Sequence, residues 1–282
     1  MTKPEIIFEA NLTVGEGPVW DGENNRLYFV DIRGQAYYAM DYKSGHCEKF
    51  DTPQRIGCLA MCDDGSLLLS MEDGIYIADG SGNIRPAHEP TKIKGARFND
   101  GKVGPDGYYY VGTMGDDFSG AFYRYGDGSL TELFGGCACS NGLDWTSDGK
   151  KMYYCDSRMH KIELFSFDGV SHSLSDRRTL CEIPAEVGSP DGMTIDADGN
   201  LWWAIWGGSC VYHIEGATGK ILDVIDIPAK QVSSCCFAGE DLSDLVITTA
   251  AFNRDLAEEP NAGNVFRVKP GVKGVPFNRY HT

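Results

Sequence analysis

Side chains with hard oxygen ligands recur at one phase of this 282-residue sequence. Counting back seven residues from the Asp of each recurrent Asp-Gly or Asp-Leu turn reaches Asn99 (before Asp106), Asn141 (before Asp148) and Asp191 (before Asp198). The same step reaches Gly57 before Asp64 and Ser234 before Asp241, and Glu16 falls close to it in a first unit with a longer turn. Asn and Asp beside Gly are ordinary turn formers. A phase shared by separate units is not explained that way, because repeats produce shared turns without requiring carboxylates at one place. Glu16, Asn99, Asn141, Asp191 and Ser234 are therefore expected to converge. Two carboxylates and two carboxamides with no sulfur suit one divalent cation that accepts oxygen: Ca, Mg or Mn, with Fe(II) or Zn also admissible.

Other chemistries fit poorly. Asp196, Asp198 and Gly199, set in an EF-hand frame, put Thr194 first and Ile205 last, and neither can serve. Asp198-Gly199 reads instead as a hairpin turn that Asp196 supports. No G-x-S-x-G elbow is present, so Ser140 and Ser234 read as turn or supporting groups. The six histidines form no H-x-x-x-H pair, and the 10 cysteines form no paired C-x-x-C zinc frame. The cysteines read as reduced, mostly buried thiols.

The elements that must position these residues come from a repeat. Turns followed by aromatic or β-branched runs recur in WDGENNRLYFVDI, CDDGSLLLSMEDGIYIAD, GPDGYYYVGTM, TSDGKKMYYCDS, DADGNLWWAIWGG and GEDLSDLVITTAAF. The spacing is roughly 42 to 50 residues, the period of propeller blades. Asp-Gly between two strand-like runs predicts type I′ hairpins, and no long helical periodicity is present. The expectation is an all-β chain: a single domain over residues 1–282, folded as a six-bladed β-propeller whose ring is closed by the N-terminal strand (EIIFEANL) joining the last blade (GNVFRVK). Equivalent positions on successive blades share one end of the ring. The runs Tyr108–Tyr110, Tyr153–Tyr154 and Trp202–Trp203 are expected to pack between blades, and Trp206, before Gly207-Gly208, to stand at the pocket rim.

Composition narrows the partners. The formal net charge of -16 repels phosphate backbones and anionic membrane surfaces, so neither nucleic acid nor membrane is an expected partner. No run approaches the ~18 apolar residues of a membrane span. The opening MTKPEIIFEANL lacks the apolar stretch of a secretory signal, and a cytoplasmic monomer is expected.

GEGPVW at 15–20, RFNDGK at 97–102, GTM at 112–114, SNGLDW at 140–145, PDGM at 190–193 and SSCCF at 233–237 occur in this order. The ordered set resembles the SMP-30/gluconolactonase/luciferin-regenerating-enzyme family, which includes regucalcin, over essentially the whole chain. The resemblance implies a six-bladed propeller with one divalent metal at the channel end. It implies Glu16, Asn141 and Asp191 as protein ligands, Asp191 also as the general base, and Arg97 and Asn99 as substrate holders. It places Asp116 or Asp117 where family members contact substrate hydroxyls. The segment GTMGDDFSGAFYRY is shorter than in vertebrate members, which implies a more open pocket. Many members hydrolyse sugar lactones, so the expected activity is metal-dependent opening of a sugar (aldono) lactone to its acid. The cation would polarise the carbonyl and activate water. An organophosphate or other ester hydrolase on the same site, and a non-catalytic metal-binding regulatory propeller, are the alternatives.

Overall fold

The computed structural model describes residues 3–88 and 93–282. Strand β1 (Glu5–Phe8) is followed by a succession of four-strand meanders. The first is β2–β5 (Gly15–Asp21, Arg26–Asp31, Ala36–Asp41, Cys47–Asp51). Next come β6–β9 (Cys58–Met61, Leu67–Ser70, Ile75–Ala78, Ile84–Pro86) and β10–β13 (Arg97–Val103, Tyr109–Met114, Gly120–Gly126, Ser129–Cys137). Then follow β14–β17 (Ser140–Trp145, Lys151–Asp156, Lys161–Asp168, Ser173–Glu182). Each of these four forms its own antiparallel sheet. The remaining strands are β18–β21 (Ser189–Ile195, Leu201–Trp206, Cys210–Ile214, Ile221–Asp226) and β22–β24 (Gln231–Ala238, Asp244–Ala250, Val265–Val268). They join β1 in a single eight-stranded sheet.

This is an all-β propeller, but the expectation of six separate blades is corrected. The described hydrogen bonding gives four sheets of four strands and one of eight. The reason is local: β19 extends to Trp206, whose backbone pairs with Gln231 at the start of β22. Strand β1 pairs antiparallel with β24, as expected of the N-terminal strand joining the last blade, but closure differs in that this blade is fused with β18–β21 into the eight-stranded sheet, at whose outer edge β1 lies. The ring itself meets through its inner strands: β2, β6, β10, β14, β18 and β22 each contact the next, and β22 returns to β2.

Apart from β10, the inner strands are buried along nearly their whole length, which is why they read as mixed small and apolar runs rather than alternating ones. Core side chains sit between sheets. Trp203 packs with Tyr153, and Tyr110 with Trp145 and Phe167, so these aromatic residues interlock neighbouring sheets, while Trp202 packs with Phe237 within the eight-stranded sheet. All ten cysteines are free thiols.

The Asp-Gly turns are not type I′. Gly65, Gly107, Gly149 and Gly199 have positive φ, whereas the Asp before each does not. Each glycine N–H donates to the carbonyl three residues earlier, as Gly199 does to Asp196 at 3.0 Å. The turn is thus a four-residue one with its left-handed residue last, where glycine pays no Cβ penalty. Asp196 supports it as expected: its Oδ1 accepts from the N–H groups of Asp198 and Asn200, and its Oδ2 from Trp202 Nε1.

The far end of the ring is strapped by residues 274–282. Gly274 bridges Asp196 and Tyr280 bridges Cys62. Arg279 pairs with Asp21 at 2.7 Å, and Tyr280, buried, stacks on Tyr125 with ring centroids 5.5 Å apart.

Candidate functional site

The site lies where the inner strands are irregular. Pairing slips between Glu16 and Val19 in β2, between Phe98 and Gly101 in β10, and between Asn141 and Leu143 in β14. It slips again between Pro190 and Met193 in β18. A bulge re-aims the side chain it carries, and these four bulges hold Glu16, Asn99, Asn141 and Asp191. All four side chains are buried, and all four line one cavity of about 720 Å³ at the mouth of the ring. That volume lies in the range of small-molecule sites.

Close approach of the inner strands fixes the relative positions. A Cβ on Gly142 would stand 2.6 Å from Asp191 O and 2.8 Å from Met193 N. Only glycine therefore lets β14 and β18 carry Asn141 and Asp191 side by side.

Glu16 and Asp191 are both buried against the same cavity, and the charge of Glu16 acts on Asp191. Burial, then the charge of Asp100, pushes the Glu16 pKa up to about 8, against the Gly17 N–H, which donates to Glu16 Oε2 at 2.5 Å, and the positive charge of Arg97. Burial, then the Glu16 charge, also pushes Asp191 well above the usual carboxylate range. Two carboxyls in a desolvated pocket share a proton unless a cation is present to replace it. Asn141 Nδ2 donates to Ser157 Oγ at 2.8 Å, and its Oδ1 is buried without a hydrogen-bond partner. Asn99 Nδ2 donates to Ser140 O at 2.8 Å, leaving its oxygen as the free acceptor. Among the described residues no three His, Cys, Asp or Glu side chains gather as a metal cluster. The oxygen set at this place is two carboxyls and the unpartnered amide oxygen.

Arg97 lines the same cavity and donates through Nη1 to Phe98 O at 2.8 Å. Burial lowers its pKa, yet a guanidinium remains charged. Asp116 and Asp117 stand at the rim on a short 3₁₀ turn (Asp116–Phe118) in which Asp117 and Phe118 have positive φ. Trp206 is also at the rim, as expected. Ser234 is not. Pairing in β22 slips between Val232 and Ser234, and Ser234 faces a separate space inside the channel with Asp100, Lys102 and Cys235. Its buried neighbour Ser233 donates to Gly15 O at 2.5 Å, tying β22 to β2.

Three contributors were missed by counting from the turns. Cys139 lines the cavity, its sulfur 3.8 Å from Asn99 Nδ2 and 3.7 Å from Asn141 Nδ2, so the surroundings are not free of sulfur. Burial, then the negative charge of Asp191, pushes that thiol up to about 12, which keeps it neutral. Asp31 and Asp156, the last residues of β3 and β15, are buried pins. Asp31 accepts from the N–H groups of Thr13, Val14 and Gly34, each at 2.9 Å. Asp156 accepts from Ala138 at 2.7 Å, from Cys139 and from Arg158. Each holds the segment entering an inner strand of the site. The repeated D-x-R of Asp31-Ile32-Arg33 and Asp156-Ser157-Arg158 is the signal that marks them.

Fold and site together define a β-propeller with a buried oxygen-ligand cluster at one mouth of its ring. The chain belongs to the SMP-30/gluconolactonase/LRE-like family, whose profile matches residues 14–251. It is 36% identical to a regucalcin of Danio rerio, over 99% of this chain and 98% of that one. It is 35% identical to a putative sugar lactone lactonase of Bacillus subtilis, over 97% and 98%. Among solved structures, a calcium-binding regucalcin from Agrobacterium tumefaciens superposes with a TM-score of 0.92 at 25% identity, covering 98% of this chain and 97% of its own.

Proposed function

We propose that this protein is a metal-dependent hydrolase that opens a sugar lactone to the sugar acid. The observation that carries the reading is the buried Glu16–Asp191 carboxyl pair beside the unpartnered Asn141 Oδ1 in an open cavity. Family membership, and the lactonase name of the Bacillus relative, support the substrate class. The residues fit a divalent cation held by Glu16, Asn141 and Asp191, since the set is hard and leaves an amide oxygen otherwise unsatisfied. The calcium-binding neighbour supports a cation without fixing which one. When bound, such an ion supplies Lewis acidity toward an ester carbonyl and acidifies water.

The protein's own groups do the rest. Arg97 presents guanidinium N–H groups, and Asn99 an amide oxygen, to ring oxygens and hydroxyls of the sugar. These contacts fix the lactone relative to Asp191. Asp116 and Asp117 at the rim can accept from hydroxyls further out. Asp191 takes a proton from the attacking water and returns it to the ring oxygen as the ester C–O bond breaks, and the open-chain acid leaves through the open mouth.

The test is acid release from a panel of aldonolactones by chelated protein, with and without Ca, Mg, Mn, Zn or Fe(II). Turnover restored by metal, and lowered about 10³-fold in Asp191→Ala with the fold intact, is the expected result. Metal uptake without turnover of any lactone would instead favour a binding protein.

A further inference from the structure

The mouth cavity is lined by three guanidinium groups, Arg33, Arg97 and Arg158, in a chain with 25 basic and 41 acidic residues. Of the twelve arginines, six pair with carboxylates among the described residues: Arg26, Arg55, Arg177, Arg254, Arg267 and Arg279. Among the described residues, neither Arg33 nor Arg158 has an Asp or Glu oxygen within the 4.0 Å of an ion pair. They hold equivalent places, each two residues after a pinning aspartate, Asp31 or Asp156.

Their surroundings differ. Arg158 belongs to the β14–β17 meander, whose inner strand neighbours β10. The β10–β13 sheet brings Asp116 and Asp117 to the same cavity. Arg33 belongs to the β2–β5 sheet, between β6–β9, which contributes nothing to this cavity, and the strands that bring Phe252. Its guanidinium carbon lies 3.9 Å from the centroid of the Phe252 ring. An aromatic face holds a guanidinium in place and leaves its in-plane N–H fork free, the geometry that receives a carboxylate or phosphate. One side of the mouth thus presents a seated, acid-free cation in a protein whose net charge is -16.

We infer that Arg33, seated on Phe252, selects lactones that carry an anionic group, a carboxylate or a phosphate, at the end remote from the lactone carbonyl. This deepens the lactonase reading and rests on it. The Glu16 and Asp191 charges would not oppose such a substrate once a divalent cation is bound between them, since its charge would offset theirs. The long-range field of the protein does oppose it, so the selection is local and short in range.

The test compares gluconolactone with two charged counterparts, glucarolactone and phosphogluconolactone, on the metal-loaded full chain at low and high salt. The expected kcat/KM for one of the charged lactones exceeds that of the neutral one by about ten-fold at low salt, and the advantage shrinks as salt rises. Arg33→Gln lowers the charged-to-neutral ratio by about ten-fold, and Arg33→Lys keeps part of it, since the charge stays and the fork is lost. Which anion prevails separates the carboxylate source from the phosphate source. A second readout needs no turnover: glucarate raises the melting temperature more than gluconate does, and Arg33→Gln or Phe252→Leu removes the difference. Neutral lactones turned over with a ratio at or below one would overturn the inference and leave the lactonase standing. A ratio unchanged in Arg33→Gln would overturn the role of Arg33. No turnover of any lactone would overturn the lactonase reading and this inference with it.

Discussion

Glu16 and Asp191, carried by the first and the last-but-one of the inner strands, are buried together against one cavity at the mouth of the ring. Two acids buried together favour keeping a proton, because burial and like charge both oppose ionisation. Burial and the charge of Asp100 retain it by lifting Glu16 to about 8. The site is therefore poised to exchange a proton for a cation.

That exchange fixes a pH dependence. A carboxyl whose folded pKa is raised above its unfolded value of about 4.3 stabilises the fold fully below that value. The contribution is lost as pH rises through the folded pKa. The metal-free protein is therefore expected to melt at a progressively lower temperature from about pH 5 to about pH 8. A bound divalent cation should flatten the slope. Calorimetric titration with metal near neutral pH, in two buffers of different ionisation enthalpy, should show proton release. Heats that do not depend on the buffer would refute the shared proton.

The spacing of the ligands depends on a missing Cβ. Gly142→Ala places a methyl group 2.6 Å from Asp191 O. A displacement of β14 from β18 should cost about 1–3 kcal/mol and weaken metal binding more than it weakens the fold. Denaturant melts with and without metal separate the two effects. Equal loss in both would show that the close approach matters only for packing.

Asp156 should behave as a positioning residue. Asp156→Ala leaves the N–H groups of Ala138, Cys139 and Arg158 without their acceptor. Each buried donor left unpaired costs about 1–3 kcal/mol. The segment it releases leads directly into Asn141, so metal affinity should fall although no ligand is removed. Asp156→Asn keeps one acceptor oxygen and should restore part of it. If affinity is unchanged in the alanine variant, Asp156 serves stability alone.

The far end of the ring should be energetically substantial. Tyr280 is buried against Tyr125 and bridges to Cys62. Tyr280→Ala should cost about 3–5 kcal/mol in an equilibrium melt, the range for large aromatic truncations. A cost under ~1 kcal/mol would mark the strap as incidental.

Much of this site could be read before any coordinates. Asn99, Asn141 and Asp191 each stand seven residues before the Asp of their turn because the repeat keeps that step constant, and propeller geometry then brings equal steps together. Ser234 obeys the same count and misses the cavity. The count is blind to the slip in β22, which turns that side chain down the channel. Cys139 escaped because it lies two residues before Asn141, off the counted phase. The turns were placed correctly and their conformation was not. Asp-Gly is compatible with two hairpin geometries, and only the hydrogen bond from the glycine N–H tells them apart. The fused eight-stranded sheet depends on one backbone pair, Trp206 with Gln231, which no periodicity encodes.

The pairing of β1 with β24 has a consequence for synthesis on the ribosome. Strand β1 leaves the exit tunnel early, yet its hydrogen-bonding partner is translated last among the strands. Throughout elongation the nascent chain displays EIIF as an unpaired edge, with Ile6 exposed even after folding. Such an edge is a template for wrong pairing. The waiting time of that segment, set by the translation rate and by any chaperone that shields it, governs how much newly made protein reaches the native ring.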